Sequence, residues 1–298
     1  MFRMRTFRYL LAMVLSCAGA ALAQAPAVAP VELHIEPLRG NLQLLHGEGS
    51  NIVLSTGNDG ALLVDDEYAS LGEKLRAALA TLHAAPVKVV INTHWHNDHT
   101  GNNEAFGRDG ARIIAQTHAG GRMHADQTMS LYGRQAAYPP SAWPATLVEK
   151  SLRLRWNGER IDLLHIGPAH TDGDLVVYFR RQNVLATGDL FVTGAYMPPY
   201  FDDLNGGNAE GMIAAAERLL KLANDRTLIV PGHGPVTDRK ALARYRDQFV
   251  AIRTRIREAI TAGDSEDAVV AMHPADGFAP RGRGTDRWVR ILYREYHH

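Results

Sequence analysis

Four short apolar runs in this chain each break into a turn that carries histidine or aspartate. Val87-Lys88-Val89-Val90-Ile91 leads into Thr93-His94-Trp95-His96-Asn97-Asp98-His99, and Ile161 to Ile166 leads into Gly167-Pro168-Ala169-His170. Val184 to Thr187 leads into Gly188-Asp189, and Thr227 to Val230 into Pro231-Gly232-His233-Gly234. Strand-end loops are where a rigid scaffold places reactive groups, and glycine beside a ligand suits a tight turn with close backbone approach. The first segment packs three imidazoles and a carboxylate into six residues. Imidazole nitrogen and carboxylate oxygen are the atoms that borderline divalent ions such as zinc prefer. On an extended segment residues 94 and 96 point one way and Trp95 the other. A solvated polar loop is the plainer reading of that segment, but it gives no account of the other three.

The remainder alternates strand and helix patterns. Val31 to Ile35, Leu42 to Leu45, Asn51 to Ser55 and Ala61 to Val64 are short, apolar and parted by turns such as Asn58-Asp59-Gly60, which predicts strands. Leu71, Leu75, Leu79 and Leu82 then share one side of a helix over Leu71 to Ala84. Ile113 to Ala115 is a further strand, His118 to Tyr132 a predicted helix, and Tyr138 to Pro144 an aromatic, proline-rich loop. Leu152 to Trp156 and Leu175 to Phe179 join the second set of strands, and helices are predicted over Met212 to Ala223 and Leu242 to Ala262. The pattern gives one domain over 31–263, built of two sheets with helices outside. A tail over 264–298 is expected to pack on it through a helix, Asp286 to Tyr296, with Trp288, Ile291 and Leu292 as its apolar side.

Arg3, Arg5 and Arg8 precede an apolar stretch from Tyr9 to Ala23 that closes on Ala21-Leu22-Ala23. A basic start, an apolar stretch and a small-x-small end are the marks of a signal peptide over 1–23, followed by a leader over 24–30. An apolar run of about 15 residues is short for a bilayer span, which needs about 20. The expectation is an exported protein, periplasmic or secreted, with no stable membrane anchor after cleavage. Cleavage removes Cys17, the only cysteine, which leaves His, Asp and Glu as the metal ligands. Lysine plus arginine equals aspartate plus glutamate at 32 each, with no dense basic block. That lacks the footprint of nucleic-acid binding, so the expected partner is a small-molecule substrate. Nothing in the sequence sets an oligomeric state.

The series His94-x-His96-x-Asp98-His99, His170, Asp189 and His233, in this order and at strand ends, resembles the metallo-β-lactamase superfamily from about Val31 to Thr237. The resemblance implies an α/β fold, a four-layered αββα sandwich with two metal ions in a cleft at the sheet edges. By analogy His94, His96 and His170 hold one ion, Asp98, His99 and His233 hold the other, and Asp189 bridges them. Two Zn2+ are expected, although ligand type alone admits iron or manganese. A hydroxide between the ions becomes a nucleophile near neutral pH, since one zinc already shifts bound water from 15.7 to about 7. Asp98 orients it and passes a proton to the leaving group. The function implied is hydrolysis of a small ester, thioester, lactone or amide. Family members that open β-lactams usually carry cysteine or serine where this chain has Asp189, so it looks closer to the glyoxalase-II-like and lactonase-like hydrolases. β-Lactam hydrolysis is the alternative, and an iron-dependent oxidative enzyme on the same fold the second one.

Asp65 ends an early strand and is either a brace for a ligand histidine or a turn residue. Tyr196, Tyr200 and Trp143, with Tyr132 and Tyr138, lie in loops that this fold turns toward the substrate cleft. His118 and His124 read as surface or helix-start residues, and His34, His46, His83 and His165 as structural ones. Asp203-Leu204-Asn205-Gly206-Gly207 reads as a turn before a helix capped near Asn208, with no catalytic role.

Overall fold

A computed structural model describes residues 32–297. The expected signal peptide and leader, with Val31 and His298, lie outside the described residues. The first sheet contains β1 (His34–Pro37), β2 (Leu42–His46), β3 (Asn51–Ser55), β4 (Ala61–Val64), β5 (Val87–Ile91) and β6 (Arg112–Gln116) in sequence order. After a separate hairpin of β7 (Gln127–Met129) and β8 (Gly133–Gln135), β9 (Thr146–Val148) closes its far edge. The second sheet runs β10 (Ser151–Trp156), β11 (Glu159–His165), β12 (Leu175–Phe179), β13 (Val184–Ala186) and β14 (Leu228–Val230). Strands β4, β5, β6 and β9 are parallel, and so are β13 and β14.

Side chains alternate across a strand, and that alternation builds the layers. Val53, Leu62, Val64, Val89 and Ile91 pack with Leu163, Val177, Phe179 and Val184 between the two sheets. Their neighbours Ile52, Leu54, Leu63 and Val90 face outward onto Leu75 and Leu79 of α1 (Gly72–Thr81) and Phe106. Val176, Tyr178, Leu185 and Ile229 face outward from the second sheet onto a helical layer. Both faces of these strands are covered, which is why they read as apolar throughout. The product is the αββα sandwich expected from the sequence. Short helices α2 (Asn97–Thr100), α3 (Asn103–Arg108) and α4 (Thr117–Arg122) complete the first half.

The second helical layer contains α5 (Ala209–Leu222), α6 (Arg239–Thr261), α7 (Glu266–Ala271) and α8 (Arg283–Tyr296). Asn208, Asp238 and Ser265 cap the first three through their side chains, satisfying donors that a helix start leaves unpaired. Helix α8 buries Trp288, Val289, Leu292 and Tyr293, with Ile291 only partly covered. Trp288 is 1% exposed and packs on Phe249 at 5.4 Å between ring centroids. Trp288→Ala is therefore expected to cost about 3–5 kcal/mol of stability, read as a lower denaturant midpoint. No helix among the described residues is long and apolar enough to cross a membrane.

The predicted helix over His118 to Tyr132 is corrected. Only Thr117–Arg122 is helical, and the chain then folds into the β7–β8 hairpin. The segment from His124 to Gln127 has no apolar residue beyond Ala125, so it offers no stripe for a helix to bury. The first strand is also shifted, to His34–Pro37, and is exposed along its length.

Candidate metal centre

The turns after β4, β5, β11, β13 and β14 leave one edge of the sandwich. Past the end of β5 the chain bends through His94, and the extended His96 is the residue before α2, whose single turn carries Asp98 and His99. Trp95 points away and is fully buried in a small cluster with Ala115, Ala119 and Met123. His94, His96 and His170 bring ligand atoms together in one group, and Asp98, His99 and His233 do so in another. Nε2 of His170 lies 3.2 Å from Nε2 of His94 and 3.0 Å from Nδ1 of His96. Asp189 stands between the groups. Its Oδ1 is 3.2 Å from His99 Nε2, and its Oδ2 is 3.6 Å from His170 Nε2 and 3.4 Å from His233 Nε2.

Each imidazole is held from behind at its other nitrogen. Thr93 Oγ1 is 3.0 Å from His94 Nδ1, Asp202 Oδ2 is 3.1 Å from His96 Nε2, and Asp65 Oδ2 is 2.8 Å from His99 Nδ1. The carbonyls of Tyr200 and Gly49 accept from Nδ1 of His170 and His233 at 2.8 and 3.0 Å. Asp65 also accepts from the Thr93 amide and hydroxyl at 2.7 and 2.8 Å, so one carboxylate fixes His99 directly and His94 through Thr93. Such outer partners set tautomer and ring orientation.

That arrangement fits a cation. With the outward nitrogens donating, the inward nitrogens of His94, His96 and His170 present lone pairs to one another at hydrogen-bond distance with no proton between them. Asp189 Oδ1 is buried and has no well-aligned donor, its ion-pairing neighbour being His99 Nε2 at 3.2 Å, an arrangement that is costly unless a positive charge lies between them. The electrostatics agree. Burial holds His94 well below the ordinary histidine value and His170 down to about 4, the latter against the pull of Asp189. Burial would also depress His99 and His233, but Asp189, Asp98 and Asp65 hold His99 well up, and Asp189 and Asp98 hold His233 up to about 10. Burial raises Asp98, yet His99 and His233 outweigh it and bring the carboxyl down to about 2. The half built from Asp98, His99 and His233 attracts positive charge, and a proton fills the role when no cation does.

Asp65→Ala should weaken metal retention by about 10- to 100-fold, measured by chelator competition; retention equal to the parent protein would remove its bracing role.

Of the aromatic residues expected at the cleft, Tyr196, Tyr200 and Tyr132 line it. Trp143 is corrected: its ring packs on His124 at 4.1 Å and its Nε1 donates to the Tyr138 carbonyl, so it belongs to the wall behind Trp95 and not to the cleft. The Tyr138 hydroxyl is likewise engaged by Thr100 and the Trp95 carbonyl. His118 and His124 join neither group. Sequence reasoning missed Asp202, which is fully buried, faces His96 and takes Asn205 Nδ2 at 2.9 Å and the Tyr200 hydroxyl at 3.1 Å. It also missed Glu67, whose carboxylate accepts from the Gly49 amide at 3.0 Å and so anchors the loop behind His233. A signal for Glu67 exists in the run Asp65-Asp66-Glu67 at a strand end; for Asp202 there is none beyond the turn that follows it.

A sequence model of the metallo-beta-lactamase superfamily matches residues 37–233. A 2,4-dinitroanisole O-demethylase subunit alpha from Nocardioides sp. is 27% identical over 66% of this chain and 56% of its own length. A hydroxyacylglutathione hydrolase from Polaromonas sp. is 33% identical over 58% of this chain and 59% of its own, so the chain spans little more than half of either relative. A type 2 metallo-beta-lactamase from Bacillus sp. is 24% identical over 66% of this chain and 71% of its own. Among solved structures, a metallo-beta-lactamase from Pontibacter korlensis superposes with a TM-score of 0.61 at 20% identity, covering 73% of this chain and 99% of that one, which bears on the fold alone. With the family pattern matched from the first sheet through His233, the chain belongs to the metallo-β-lactamase superfamily.

Proposed function

We propose that the protein is an exported dinuclear zinc hydrolase of a small ester, thioester, lactone or amide. The observation that carries this reading is Asp189, whose two oxygens are turned to His99 on one side and to His170 and His233 on the other. His94, His96 and His170 would hold one ion and Asp98, His99 and His233 the second, with Asp189 shared. Divalent ions held there supply an acidified water and a Lewis acid for the substrate oxygen.

The chain's own residues do the rest. Asp98 is ionised, its carboxylate is partly open to the cleft, and its Oδ2 lies 3.2 Å from His233 Nε2. It accepts the proton of the attacking water and returns it to the leaving group. Thr93, Asp65 and Asp202 keep the imidazoles aimed, so that little reorganisation accompanies the reaction. A carboxylate at 189, in place of cysteine or serine, supports ester, thioester or lactone hydrolysis over β-lactam opening as the main activity.

Turnover of a thioester, an acyl lactone, a β-lactam and a phosphodiester by the purified zinc-loaded protein tests the reading. Fastest turnover of the thioester or lactone supports it, and fastest turnover of the β-lactam replaces it. Stoichiometric iron in natively supplied protein, with oxygen consumption, would instead support the oxidative alternative.

The two halves should differ in pH dependence. His233 is held protonated up to about 10 and must release its proton to bind a metal, whereas His170 is neutral above about 4. Affinity at the Asp98, His99 and His233 half therefore falls as pH falls, by about tenfold per unit for each proton displaced. Chelator titrations at pH 6, 7 and 8 should release one ion before the other, with the gap widening toward pH 6. Two ions released together at every pH would contradict this.

A further inference from the structure

The cleft over the centre has a volume of about 340 Å3, near the lower end of the about 300–1,000 Å3 range of ligand pockets. Its walls are aromatic. Tyr196 stacks on His233 with centroids 4.7 Å apart and planes 27° from parallel, and Tyr200 lies over His96 at 6.0 Å and 28°. Tyr132 meets Tyr200 edge-on at 5.1 Å, and Tyr68 stands among the lining residues. Tyr132 and Tyr196 remain 69% and 42% exposed. Large aromatic surface left open at a cleft marks a place for another apolar group.

The charges at the rim point the same way. Among the described lining residues Arg134 is the single Lys or Arg side chain. Its guanidinium forks onto Asp126, and Asp126 is itself fixed by the Ala137 amide. Glu48 lines the same cleft and is exposed. Asp98 and Asp189 would offset two of the four positive charges that two divalent ions bring to the floor, and the rim away from the centre adds no unpaired cation. A carboxylate on the part of the substrate that lies at the rim, away from the centre, would meet Glu48 and an arginine already paired with Asp126.

From this geometry we infer that the cleft selects an uncharged substrate carrying an aromatic ring, held between Tyr132 and Tyr196 with its acyl carbon over the centre. Tyr132 and Tyr196 are specificity-determining residues, and the rim rejects anionic counterparts. For turnover this rests on the hydrolase reading above; for binding it does not.

The test separates the two. Zinc-loaded protein is titrated, by ligand-observed NMR, with the non-hydrolysable ketone 4-phenylbutan-2-one and with its para-carboxylated counterpart. The neutral ketone should bind at least about tenfold more tightly, as expected when an unpaired charge is set against the wrong ligand. Tyr132→Ala and Tyr196→Ala should each weaken it by about tenfold, the effect of losing an aromatic anchor. Both side chains are exposed, so the variants should keep the parent fold. Equal or tighter binding of the carboxylated ketone, an unchanged Kd in both variants, or no binding of either ketone would overturn the inference. Neutral binding that depends on both tyrosines, with no turnover of the matching aryl ester, would uphold it and defeat the hydrolase reading alone.

Discussion

Replacing Asp189 by alanine is expected to lower kcat/KM by about a thousandfold, the scale seen when a preorganised charge is removed from a reacting centre. It should also reduce the metal content below two ions per chain. The carboxylate is buried, and its two oxygens are within 3.2–3.6 Å of three imidazoles. His233, His99 and His170 in turn hold Asp189 well below the usual carboxylate range, against the burial that would raise it. Removing it leaves His99 and His233 with Asp98 and Asp65 as their remaining acids and leaves His170 with only the more distant Asp202. Asp189→Asn separates charge from shape, because the amide fills the same space with one acceptor oxygen and no charge. It should lose activity nearly as fully as alanine while the fold survives by circular dichroism. Unchanged turnover in a metal-verified Asp189→Ala protein would end the bridging assignment.

Gly232→Ala should come second, although residue 232 offers no ligand. A Cβ at this position would lie 1.9 Å from Asp189 Oδ1 and 2.7 Å from the Gly188 carbonyl carbon. The backbone is tied in place as well: the Gly232 amide donates to the Gly188 and Phe191 carbonyls at 2.9 and 3.1 Å, and its own carbonyl accepts from Asn51 at 2.8 Å. A methyl group must either turn the Asp189 carboxylate out or push back the loop that carries His233. Overpacking of this kind costs about 1–3 kcal/mol, and here the shift falls on a ligand. The expected result is a lower denaturant midpoint together with a loss of metal close to that of Asp189→Ala. Parent-level metal content in Gly232→Ala would mean that the loop gives way without moving either ligand.

Much of the centre was legible because each ligand sits immediately after an apolar run. His94, His96, Asp98, His99, His170, Asp189 and His233 announce themselves as polar residues where a buried strand stops. The two-sheet architecture was legible for a related reason, since strands covered on both faces are apolar on both. What escaped was set by distance in sequence. Asp202 braces His96 across 106 positions, and no local pattern marks an aspartate for that contact. Trp143 looked like a cleft residue because aromatic loops wall this kind of site; its indole instead found a carbonyl five residues away and a histidine ring to lie on. The hairpin after α4 escaped because its strands are only three residues long, too short for alternation to show. Gly232 stood out only as a turn glycine; the reason it must lack a side chain is the carboxylate 43 residues earlier.

The central claim is that seven side chains form two adjoining cation sites sharing Asp189. Anomalous difference density at the zinc edge, from crystals of zinc-reconstituted protein, tests it most directly. The predicted result is two peaks per chain, one bounded by His94, His96 and His170 and the other by Asp98, His99 and His233, with Asp189 reaching both. A single peak, or a peak that leaves either trio empty at saturating zinc, would contradict the account.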